Sequence, residues 1–161
     1  MEITNIRSRV YNRKQPIDKV KVSAAVLVTS LIIAAFYFSS QPASVSRLQS
    51  GNILNIFKAI GFENVTMHFV RKLAHFVLFG MIGSAIVFAF SFKLSGLILF
   101  RASYLFGTLL GALDEFHQMF VPGRGPQVKD VMIDSLGVFA GVLIVGLIIT
   151  FYKRKSEVTE G

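Results

Sequence analysis

Long apolar runs at 22–40, 73–92, 94–113 and 131–152 alternate along the chain with short polar segments. Each run matches the roughly 20 residues of helix needed to cross a hydrocarbon core. Only a helix keeps every backbone hydrogen bond internal in lipid, so the pattern predicts an all-α polytopic membrane protein with four transmembrane helices. The domain spans 22–152, between a basic tail at 1–21 and a short tail at 153–161. The segment at 41–72 has a weaker pattern of its own. Leu48, Ile53, Ile56, Phe57 and Ile60 recur at roughly helical spacing, with Arg47, Asn52, Asn55 and Lys58 between them. This suits a short interfacial helix between helices one and two, lying in the headgroup layer and broken by Gly51 and Gly61. A loop with scattered apolar residues is the competing expectation.

Charge sets the orientation. The net charge of +8 would suit nucleic acid, but the basic residues stand beside the apolar runs, and membrane topology explains them without it. Arg7, Arg9, Arg13, Lys14, Lys19 and Lys21 precede the first run, so the N-terminus is placed in the cytoplasm. Four crossings return Lys153, Arg154 and Lys155 to the same side, together with Lys93 in the turn between helices two and three. Arg101 is close enough to snorkel toward that surface. Both termini are therefore expected inside, and the segments 41–72 and 114–130 outside, in a multi-pass protein of the plasma membrane. The first run is expected to remain as an anchor; cleavage as a signal peptide is the alternative, but SSQPASVS offers no good small-residue cut site.

Polar residues then gather at one end. Asp114, Glu115, Asp130 and Asp134 are four of the nine carboxylates in the chain, and they flank the hairpin VPGRGPQ, which carries Arg124. In the third helix Gly107, Gly111, Asp114 and Gln118 share a face, with Glu115 and His117 beside it; in the fourth Asp130, Asp134, Gly137 and Gly141 share one. If the two glycine faces meet, the carboxylates meet too. The second helix contributes a basic stripe of His68, Arg71, Lys72 and His75, and the first ends in Ser39, Ser40 and Gln41 before Pro42. Hydrogen-bonded glue between helices needs one or two such residues per helix, whereas a pocket for a polar or anionic headgroup accounts for the number gathered here. Asp114, Glu115, His117 and His75 could ligate zinc, yet there is no H-E-x-x-H pattern and no Cys, and Arg71 and Lys72 would compete as counter-charges. No metal and no cofactor is expected.

RKLAHF at 71–76, DEFHQMFVPGR at 114–124, KDVMIDSLG at 129–137 and SSQP at 39–42 together resemble the VanZ-like family of bacterial membrane proteins, over about residues 36–145. The resemblance implies a small integral membrane protein of the cell envelope, in some members conferring low-level resistance to teicoplanin and related lipoglycopeptides. Its pattern carries over onto Gln41, Lys72, His75, Asp114, Glu115, Gln118, Arg124, Asp130 and Asp134. One departure is plain: where the family commonly has an acid and then Tyr a few residues after the His, this chain has Leu78 and Phe79.

Two functions follow as expectations. In the first, an outward-facing pocket binds an anionic lipid or lipid-linked cell-wall precursor through Arg71, Lys72, Arg124, Gln41 and Gln118, with Asp114, Asp130 and Asp134 holding the bases in place. In the second, the protein is an intramembrane hydrolase or transferase on a lipid-linked substrate, with Asp114 or Glu115 as general base and His75 as general acid. Membrane lipids are the expected partners, and the sequence leaves monomer and homo-oligomer equally open. A conduit would require an oligomer, because Arg101 alone marks the inner half with a polar group.

Overall fold

A computed structural model describes residues 2–160, with side chains over 19–156. It contains α1 (Glu2–Ser39), α2 (Ala43–Ala59), α3 (Met67–Phe90), α4 (Gly96–Gln118) and α5 (Val128–Glu160), and no strand among the described residues. Four segments are long and apolar enough to cross a membrane: Lys19–Ser39, Met67–Phe90, Gly96–Gln118 and Val128–Ser156. The all-α, four-span expectation therefore holds. The helices outrun the apolar runs of the sequence. Thus α3 starts at Met67, capped by Thr66 Oγ1, which accepts from Phe69 N at 3.2 Å. His68, Arg71 and Lys72 are consequently helical, as are Asp114, Glu115 and Gln118 at the end of α4.

The centre of the bundle is the pair α3 and α5, with α4 against α5, and α1 against α3 and α4. Phe79, Ile82, Ile86, Leu99 and Val138 fill the core. Leu105, Leu109, Leu136 and Ile144 are each more than half exposed and form an apolar exterior that only lipid would solvate comfortably.

The two glycine pairs do not meet. Gly137 and Gly141 of α5 lie against the backbone of α3, where a Cβ at either would strike the carbonyls of Phe76 and Gly80. Gly107 and Gly111 of α4 instead leave room for side chains of α5: Val138 at Gly107, and Asp134 at Gly111, where an added Cβ would stand 3.0 Å from the Asp134 Cβ. Sequence periodicity assigns a residue to a face, but it does not choose the neighbour. The expected consequence survives by this other route, because α5 is wedged between α3 and α4 and carries Asp134 into both.

Between the first two spans α2 is a helix and not a loop. Gly51 does not break it; the break falls at Gly61, which takes a φ of +96°. The buried residues of α2 are Ser46 and Ser50, while Leu48 and Ile56 are 71% and 62% exposed beside Arg47, Asn52 and Lys58. Such a surface suits the headgroup layer. Because the chain has no Trp, a single Leu48→Trp reporter is expected to show blue-shifted emission quenched by brominated phospholipid, unlike Lys58→Trp. Equal response from the two would place α2 in water.

Candidate functional site

All four spans bring polar side chains to one end of the bundle. Asp114, Glu115, Asp130 and Asp134 are each at most 5% exposed, so each needs a partner. Asp134 Oδ1 lies 3.2 Å from His75 Nδ1, pairing α5 with α3. Asp114 Oδ2 accepts from Ser39 Oγ at 2.8 Å and from Gln118 Nε2 at 3.0 Å, which ties α4 to the end of α1. Gln118 also donates to Glu115 Oε1 at 3.2 Å, and the backbone N–H of Gln127 donates to Glu115 Oε2 at 2.9 Å. Ser39 and the Gln127 amide thus hold two of the acids.

The basic groups take other places than expected. Arg71 and Lys72 both face Asp130, at 3.5 and 3.9 Å. Among the described residues, Asp130 therefore holds two bases, Asp134 holds only His75, and Asp114 holds none. Arg124 sits in a turn closed by its own N–H to Val121 O at 3.1 Å, with Gly123 at φ +72°, where a side chain would be strained. The hairpin is pinned to the start of α2 by Ala43 N donating to Pro122 O at 3.2 Å. Arg124 Nη2 donates to Phe38 O at 3.4 Å and makes no ion pair among the described residues. Burial lowers its pKa from the ordinary value, the Arg71 charge pushes the same way, and Asp114 and Glu115 oppose both. A guanidinium stays charged under such pressure.

Arg71, Arg124, His75 and Asp114 line the polar part of a cavity of about 380 Å³. Its remaining wall is largely apolar and comes from α1, α2 and α3, with Phe38, Ile53 and Leu78 among the contributors. Ser46, Gln49 and Ser50 add polar groups from α2. Gln41, Lys72, Glu115, Gln118, Asp130 and Asp134, expected at the site from sequence, do not line this cavity. Gln41 turns back to donate to Tyr37 O at 3.3 Å, and His117 lies 2.9 Å from Ser40 Oγ with its ring against Phe36.

A family model described as VanZ/LLP1 matches residues 24–149, the stretch that contains all of these side chains. The chain belongs to the VanZ/LLP1 family. Comparison with curated proteins and with solved structures gives no match. In this VanZ/LLP1 protein Leu78 and Phe79, which stand where the resemblance implied an acid and a Tyr, lie at the site itself: Leu78 lines the cavity, and Phe79, 1% exposed, stacks on His75 with ring centroids 6.4 Å apart. The residues missed from sequence, Ser46, Gln49 and Ser50, stand on the face of α2 turned toward α3. Two serines four apart in an otherwise apolar-exposed helix were the available signal.

Proposed function

We propose that this VanZ/LLP1 protein is a cell-envelope receptor for an anionic amphiphile, a lipid or lipid-linked cell-wall precursor, bound with its headgroup toward Arg71 and Arg124. The observation that carries this is the cavity, which joins an apolar wall to a polar end holding two guanidinium groups. Its volume is within the range of about 300–1,000 Å³ typical of small-molecule sites. Exposed Phe38 and Ile53 on its lining favour a molecule with an acyl or prenyl part. The polar end is taken to face outside, since Lys93 and Lys153, which donates to Ser91 O at 2.9 Å, lie at the opposite end. The contribution to lipoglycopeptide resistance that the VanZ resemblance implies would then act through the availability of that headgroup at the outer surface.

Arg124→Ala is expected to weaken binding of a polyprenyl phosphate in nanodiscs by roughly tenfold or more, the worth of one charged hydrogen bond, while phosphatidylcholine is unaffected. Arg124→Lys is expected to recover only part of the loss. Unchanged affinity in Arg124→Ala would reject the recognition role. Since the chain has no Cys, Gly125→Cys in intact cells tests the orientation; labelling by an impermeant maleimide only after lysis would reverse it.

The pairing of His75 with Asp134 beside Asp114 and Glu115 favours a second function, acid–base hydrolysis or transfer on the same lipid-linked substrate. Asp114→Asn and Glu115→Gln separate the two. Loss of the resistance phenotype with lipid binding intact supports chemistry; retention of both supports recognition alone.

A further inference from the structure

The floor of the site gathers acids that no Lys or Arg pairs with directly among the described residues. Asp114, Glu115, Asp134 and His75 each offer one ligating atom, and these atoms all lie within 4.8 Å of one another. The neighbouring bases do not bond these acids directly: Arg71 and Lys72 face Asp130, and Arg124, whose charge acts on Asp114 and Glu115 from a distance, donates to the Phe38 carbonyl. Among the described residues no Lys or Arg lies within 4.0 Å of Asp114, Glu115 or Asp134. Burying carboxylates so close together without a cation is costly.

A second observation concerns single atoms. Asp114 Oδ1 and Asp134 Oδ2 are fully buried and make no hydrogen bond within the protein. Their sister oxygens are both held, by Ser39 and Gln118 in one case and by His75 in the other. Each carboxylate is thus oriented through one oxygen and leaves the other free, the usual way that ligands to a metal are fixed by surrounding hydrogen bonds.

We propose that Asp114, Glu115, Asp134 and His75 form a binding site for one divalent first-row transition ion, of the Mn2+ to Zn2+ range. An imidazole among four donors and the small number of oxygens argue against Ca2+, which takes six to eight oxygens. The absence of any thiol argues against ions that prefer sulfur. With metal–ligand bonds of about 2.0–2.2 Å, four donors around a tetrahedral ion stand roughly 3.3–3.6 Å apart. The 4.8 Å spread therefore closes with shifts of about 0.6–0.8 Å for each of the most distant pair, within reach of side-chain rotation. Gly111 allows the approach, since any side chain there would push Asp134 away. The metal site stands independently of the amphiphile. If the amphiphile is also correct, the ion eases the approach of an anionic headgroup to a floor of three acids, because it offsets two of their three negative charges and leaves Arg71 and Arg124 to attract the headgroup.

The test uses tag-free, full-length protein in nanodiscs, stripped with a chelator and then titrated with Mn2+ or Zn2+ alone. Mn2+ is followed by electron paramagnetic resonance and Zn2+ by calorimetry. One equivalent per chain is expected, with a rise in thermal midpoint on metal addition. Asp134→Asn and His75→Gln are expected to lose on the order of 100-fold in affinity, the upper end of what even an outer hydrogen-bonding partner costs. His117→Ala, which lies outside the cluster, should bind as the parent does. Where Asp134→Asn is not recovered folded, Glu115→Gln gives the same readout. Failure of the parent to bind either ion, or equal affinity in the cluster variants and the parent, overturns the site. A protein that binds metal but no polyprenyl phosphate keeps this site and rejects the amphiphile; the reverse result keeps the amphiphile and rejects the site.

Discussion

Gly141→Leu is expected to force α3 away from α5 and to remove the polar site along with the stability of the bundle. A Cβ at this position would already strike the Gly80 carbonyl and stand 2.8 Å from Ser84 Oγ, and a backbone carbonyl in a helix cannot step aside. Without a water-driven hydrophobic force between helices, close packing supplies most of the association in lipid. Alanine is expected to cost roughly 2–3 kcal/mol, as overpacking does in tight cores, and leucine more. The measurement is the unfolding midpoint in detergent, with Gly125→Ala as the control because nothing lies within 4 Å of its added carbon. A Gly141→Leu protein as stable as the parent would show that α3 and α5 do not meet as described. Since His75 rides on α3 and Asp134 on α5, ligand binding should fall in parallel.

The second large effect is at that pair. His75→Leu leaves Asp134 at 0% exposure with neither oxygen hydrogen-bonded, and breaking a buried pair from one side costs roughly 3–5 kcal/mol. Asp134→Leu removes the partner of the His75 ring, which is partly exposed, and should therefore cost less. The double variant His75→Leu with Asp134→Leu removes both partners at once, so most of the stability should return. Binding of metal should not return. Recovery of stability and binding together would mean that the pair only holds helices in place. The cycle therefore separates adhesion from function by two readouts on the same three proteins.

The sequence discloses the spans readily, because apolar runs of roughly 20 residues fit the thickness of a bilayer and little else. It also places Asp114, Glu115, Asp130, Asp134, Arg71, Lys72 and His75 at one end of the bundle, since their spacing on each helix fixes a face and a depth. It does not say which face meets which. Gly107 and Gly111 have the same spacing as Gly137 and Gly141, yet they accept side chains of α5 while the latter pair touches the backbone of α3. For the same reason His117 belongs with Ser40, Asp134 takes its place among the ionisable groups of the floor, and Asp130 collects both Arg71 and Lys72. Gln41 lies just past the end of α1 and folds back on it, an outcome set by the turn before Pro42 and invisible to periodicity. The helix α2 was the least legible element, because its serines face in and its aliphatic residues face out, opposite to the pattern of a water-soluble protein.

That orientation of α2 also bears on how the cavity is supplied. With Phe38 and Ile53 open along its rim, an amphiphile of the kind proposed is expected to arrive sideways from the leaflet, without passing through bulk solvent. Occupancy should then follow the guest's mole fraction in the bilayer. Diluting a vesicle suspension tenfold with buffer would leave it unchanged, whereas fusing the vesicles with inert phospholipid would empty the cavity.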